Sequence, residues 1–108
     1  PPSGIWALRG RVTVNTCDPE TIPVADSDGA YGYPRFTFSG DHSSFFFDWG
    51  AGYGQYTFQR TSDTVYVAYL PATVYTMTFT SPTTFFTAYR SDGGCLFYMD
   101  ENGFYVGP

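Results

Sequence analysis

The chain predicts an all-β domain, an antiparallel β-sandwich with one disulfide and no helix. Three observations carry this expectation. Thr64–Leu70 and Thr73–Thr80 (TVYVAYL and TVYTMTFT) read as a hairpin around Pro71-Ala72, and Tyr75, Met77 and Phe79 alternate with Thr76, Thr78 and Thr80 at the two-residue period of a strand. Comparable runs recur along the chain, set apart by Gly, Pro, Asp and Ser. No window shows the 3.6-residue spacing of a helix. About 8–10 short strands without a helix describe a β-sandwich or a small barrel, and the sandwich is the expected arrangement.

Taken in order, Pro1–Gly4 leads into Ile5–Asn15, a strand interrupted at Gly10, with Val12 and Val14 on one face and Arg9 and Arg11 toward solvent. Cys17–Gly32 is the longest irregular stretch, with room for a short strand at Pro23–Ala25. Tyr33–Ser39 places Phe36 and Phe38 on one face, and Phe45, Phe47 and Trp49 alternate with Phe46 and Asp48. Gly50–Gly54 is a glycine-rich loop before Gln55–Gln59. In the central hairpin both faces of Thr64–Leu70 are largely apolar, as in a strand covered on two sides. Pro71 cannot donate to a ladder and belongs in the connection. Thr83–Arg90 follows, and then Cys95–Met99 and Phe104–Val106 pair around Asn102-Gly103, a strong short-hairpin signal. In that reading both glutamates, Glu20 and Glu101, fall in turns.

At 108 residues the chain forms one domain, 1–108. Its composition is 21% aromatic and 14% charged, without lysine. A core of this size fully buries roughly half of so many aromatic side chains, which leaves the remainder for a ligand, a partner or no role. The net charge of −5 repels phosphate backbones and offers no basic face to anionic lipid, so neither nucleic acid nor membrane insertion is expected. Lysine's absence excludes Schiff-base chemistry, a lysine general base and lysine–asparagine isopeptide crosslinks. The spacing of Cys17 and Cys95 matches no zinc or redox motif. They are read as a disulfide, which places the protein outside the cell or on its surface; two buried thiols are the alternative. The start at Pro1 fits a processed protein with tied-down termini, and a trimmed chain would look the same.

Gly10-Arg11-Val12-Thr13-Val14, Asp26-Ser27-Asp28-Gly29-Ala30-Tyr31 and Leu70-Pro71-Ala72-Thr73-Val74-Tyr75-Thr76-Met77 resemble the transthyretin-like or carboxypeptidase-regulatory-like modules. The likeness covers roughly the first two thirds of the chain, and Thr73 stands where that pattern has glycine. What the resemblance implies is an Ig-like, prealbumin-like sandwich serving as a spacer or adhesion module on exported proteins, without catalytic residues.

The candidate chemistry is sparse. His42 is the one histidine, and its neighbours Asp41, Ser43 and Ser44 point apart in an extended segment, so no triad forms there. Ser62, Asp48 and Asp63 have nothing to single them out as nucleophile or acid. Asp26-Ser27-Asp28-Gly29 opens like a calcium loop, but its twelfth position is Thr37 rather than glutamate. A calcium site would draw on Asp26 and Asp28, with Asp18 or Asp92; an Asx turn without metal explains the same residues. Tyr31, Tyr33, Trp49 and Tyr53, with Asp48 as an acceptor, are the most suggestive group. Such flat faces suit a sugar ring, a protein interface, or the end of a core. The row Thr76, Thr78, Thr80, Thr83, Thr84 and Thr87 reads as a solvated strand face.

The functional expectation is a non-enzymatic extracellular structural or adhesive subunit. Its partners are copies of itself, joined through strand edges and aromatic surface into a filament or appendage. Pro1–Asn15 is the segment expected to cross to a neighbour. The alternative is a lectin-like module that binds surface glycans through Trp49, Tyr53 and Asp48.

Overall fold

The computed structural model describes residues 1–24, 29–50, 52 and 54–108. Among them eight strands follow one another as β1 (Gly4–Asn15), β2 (Arg35–Phe38), β3 (Ser44–Asp48), β4 (Gln55–Arg60), β5 (Val65–Leu70), β6 (Thr73–Ser81), β7 (Thr84–Ser91) and β8 (Phe97–Gly107). Each is antiparallel to the next, and β8 returns to pair with β1, so the sheet closes on itself as an up-and-down barrel.

The expected two-sheet sandwich is therefore corrected, and with it the Ig-like, prealbumin-like architecture. Closure rests on the two longest strands, β1 and β8, which pair from Ile5↔Gly107 to Asn15↔Phe97. Alternation of apolar and polar residues is the same in a sandwich and a barrel, because both give each strand one inner face. What separates them is whether the first strand meets the last. Along the other side of β1 run Gly4↔Phe36 and Ile5↔Arg35, followed by hydrogen bonds to Pro34, Gly32 and Gly29. In this chain the part of Pro1–Asn15 from Ile5 to Gly10 is thus bonded on both sides within its own molecule.

A second correction concerns the hairpin at Asn102-Gly103. Both residues lie inside β8, paired with β1 at Arg9 and Leu8 and with β7 at Phe86 and Phe85. Glycine is needed there for space: a Cβ at Gly103 would lie 2.2 Å from the Ala7 carbonyl oxygen and 2.5 Å from the Phe85 ring. Gly10 likewise continues β1 without a break. Pro23 and Val24 form no strand. The outer face of β5 is not covered along its length, since Tyr69 is 75% exposed.

An eight-stranded barrel is just wide enough for side chains to fill it or for one small ligand to enter. Here aromatic rings fill one half. Trp6 stacks on Phe36 with centroids 5.1 Å apart, and Phe45 lies parallel to Phe58 at 4.7 Å. Phe79, Phe85 and Tyr105 close around Trp6 at 5.4–5.7 Å. Such pairs contribute about 0.5–1.5 kcal/mol each beyond the area they bury. At this closed end Tyr66 Oη donates to the His42 carbonyl at 2.6 Å. His42 itself stacks on Phe38 and its Nε2 lies 2.8 Å from the Pro1 carbonyl. It is a half-buried turn residue with φ 58°, not an exposed one. Outward positions mix polar residues, among them Arg35, Thr37, Thr57, Gln59 and Asn102, with exposed Phe46, Tyr69, Val74, Phe86, Phe104 and Val106.

Candidate functional site

The loops that follow β1, β3, β5 and β7 gather at the other end of the barrel, and a disulfide joins two of them. Cys17, just past β1, bonds to Cys95, just before β8, with Cα atoms 5.1 Å apart. Asn15 organises the same corner. Its Nδ2 donates to the Asp18 and Ile22 carbonyls, and its Oδ1 accepts from the amides of Cys17 and Asp18. No helix of the described residues is long and apolar enough to cross a membrane. A disulfide is compatible with an extracellular protein.

Inside this end is a cavity of about 460 Å³, within the range of small-ligand sites. Leu8 and Gly10 of β1 form one wall and Tyr56 of β4 with Trp49 another. Tyr75, Tyr89, Phe97, Met99 and Glu101 complete it. The rings meet edge to face in sequence: Tyr56 on Tyr75 at 5.4 Å, Tyr75 on Tyr89 at 5.2 Å, and Tyr89 on Phe97 at 6.2 Å.

Glu101 is the chemical centre of this cavity. It sits on the inner face of β8, opposite Thr87 on one side and Gly10 on the other, and is only 6% exposed. Its Oε1 accepts from both the Tyr75 hydroxyl and Thr87 Oγ1, the latter at 2.9 Å. Oε2 receives no hydrogen bond from a described residue, and no ion pair to Glu101 is present among the described residues. Burial pushes the Glu101 pKa up, against the opposing pull of those two hydroxyls. Burial and then the adjacent carboxylate push the Tyr75 pKa well above its ordinary value, so this phenol stays protonated and donates.

The residues expected to form a site fare differently. Trp49 does line the cavity, but as a clamped wall rather than a free platform. Gly32 and Gly54 press on opposite parts of its ring, where a Cβ would approach to 2.3 Å and 2.4 Å. Asp48 does not face the cavity; its Oδ1 accepts from the Gly50 amide at 2.7 Å and lies 3.5 Å from Gln55 Nε2, holding the β3–β4 loop. Tyr31 packs edge to face on Phe104 at 5.6 Å and lies under the Arg9 guanidinium at 4.7 Å. Tyr33 is 60% exposed and is not part of the wall.

Tyr53, Asp26 and Asp28 lie outside the described residues. Of the other calcium candidates, Asp18 accepts from the Thr21 amide and Asp92 from the Tyr98 hydroxyl. Among the described residues no three His, Cys, Asp or Glu side chains converge. Thr87 leaves the expected solvated row for the inner face, where it holds Glu101.

Local sequence preference hides Glu101 because Asn102-Gly103 reads as a turn. Reading Phe97–Gly107 as one strand instead sets Phe97, Met99, Glu101, Gly103 and Tyr105 on a single face, with an acid among apolar residues. No family model, curated protein or solved structure matches the chain.

Proposed function

We propose that this protein is an exported, non-enzymatic barrel that binds a small, largely apolar ligand at its open end. The observation that carries the reading is the aromatic-walled cavity of about 460 Å³ reaching the buried Glu101. A barrel meant only to be stable has reason to continue its phenylalanine packing to both ends, since unfilled space costs stability. Here the filling stops halfway, and polar hydroxyls and a carboxyl replace it. That composition, apolar walls with a few convergent polar groups, is the usual make-up of a ligand site. The test is titration with the neutral fluorophore N-phenyl-1-naphthylamine. A saturable rise at one probe per chain, quenching Trp49 and abolished by Ala30→Trp at the mouth, is expected. No binding at any concentration up to the probe's solubility overturns the reading.

A second reading keeps self-assembly. Each strand already pairs with two neighbours in the closed sheet, so assembly would run through the outer surface. Tyr31, Phe86, Phe104 and Val106 are all exposed there, and Tyr31 already touches Phe104. Concentration-dependent sedimentation that Phe86→Ser with Phe104→Ser suppresses would favour this role; a monomer at all concentrations would remove it.

A further inference from the structure

We infer that the ligand of the open end is a compact organic cation, an amine joined to an aromatic or aliphatic body, with Glu101 as its counter-ion. The inference rests on the ligand-binding reading above and adds the charge of the ligand.

The argument starts from cost. A buried carboxylate is unfavourable unless it is paired and hydrogen-bonded. Glu101 is buried to 6% exposure and has two donors on Oε1, but Oε2 has none from a described residue and no ion pair completes the site. If the carboxyl served packing alone, an apolar side chain of similar volume would fill the position at lower cost. The Tyr75 and Thr87 hydroxyls fix one oxygen, which sets the plane of the group and leaves the other for a donor from outside. Gly10 across the ladder keeps the space beside it clear.

The surroundings favour positive charge as well. Trp49, Tyr56 and Tyr89 contribute ring walls to the same cavity, and aromatic faces attract ammonium groups most strongly where water is excluded. Among the described residues lining the cavity the one cation is Arg9, which lies over the Tyr31 ring at 4.7 Å.

The experiment compares three probes of one shape by calorimetry at about pH 8: phenethylamine, 2-phenylethanol and 3-phenylpropanoate. The amine is expected to bind the unmodified protein at least about tenfold more tightly than the alcohol, with the carboxylate weakest. Glu101→Gln should bring the amine down to the alcohol's affinity and leave the alcohol unchanged. Tyr75→Phe, which keeps the ring and removes one anchor of the carboxyl, should weaken the amine selectively. The ranking on the unmodified protein reads the charge preference even if a variant fails to fold. Equal binding of amine and alcohol, or tighter binding of the carboxylate, overturns the cation while leaving a ligand-binding barrel standing. Failure of all three probes together with N-phenyl-1-naphthylamine overturns both.

Discussion

Gly10 and Glu101 face each other across the β1–β8 ladder, and a Cβ at Gly10 would lie 2.8 Å from Glu101 Cγ. The same atom would meet the Asp100 carbonyl at 3.1 Å and Met99 Sδ at 3.4 Å. Gly10 is thus the vacancy that lets an acid occupy the inner face of the barrel. Gly10→Ala is expected to destabilise the fold by about 1–3 kcal/mol, as overpacking does, and to weaken fluorophore binding as Glu101 is pushed into the cavity. Urea unfolding alongside titration measures both.

Glu101 also predicts a pH dependence. Because burial raises its pKa in the folded state, the folded chain holds this proton to a higher pH than the unfolded chain does. Stability should therefore fall as pH rises through the window above the ordinary glutamate value. Glu101→Gln should flatten that fall, so the variant gains on the parent as pH increases. A parallel pair of stability–pH curves would show that Glu101 does not titrate in that window. Asp41 acts in the opposite sense and in a separate window. The Ser43 amide and hydroxyl and then the Ser39 hydroxyl hold its pKa at about 2, and its favourable contribution is lost as pH falls toward that value.

Breaking Cys17–Cys95 by a double change to alanine should cost about 4.5 kcal/mol in the chain-entropy account of a loop this long, given a sequence separation of 78. The loss should concentrate at the open end. Hydrogen exchange is expected to accelerate at Thr16 and Leu96, whose amides are held by Leu96 O and Thr16 Oγ1, before it does at Phe36 or Phe45.

Tyr66→Phe removes the hydroxyl that donates to the His42 carbonyl at 2.6 Å. A loss of about 1 kcal/mol is expected, with ligand affinity unchanged because the bond lies at the closed end. A large change in affinity would show that the two ends are coupled.

Gly32→Ala places a methyl group 2.3 Å from the Trp49 ring. The indole must move, and its fluorescence should shift while that of the fully buried Trp6 does not. A spectrum identical to the parent's would mean that Trp49 is not clamped as described.

The inner faces were legible wherever a strand alternates cleanly: Phe36 and Phe38, Phe45 and Phe47, Tyr75, Met77 and Phe79 all point inward as read. The Pro71-Ala72 hairpin is also present, with Ala72 taking φ 54°. Closure was not legible, because no local pattern records that residue 5 will pair with residue 107. The open end was hidden by a conflict between two signals. Asn102-Gly103 is a turn pair by local preference, yet here Gly103 serves Phe85 and its neighbours continue a strand. Trp49 is legible from its type, whereas Asp48, the last residue of β3, turns to the Gly50 amide and Gln55 rather than to the cavity.

The pairing of Ile5 with Gly107 sets the start of β1 beside the end of β8, at the aromatic half of the barrel. A segment attached to either terminus therefore leaves from the end opposite the disulfide. An anchor joined there would act as a stem and hold the mouth outward, away from whatever surface carries it. Fusion tags at both ends should leave the entrance unobstructed.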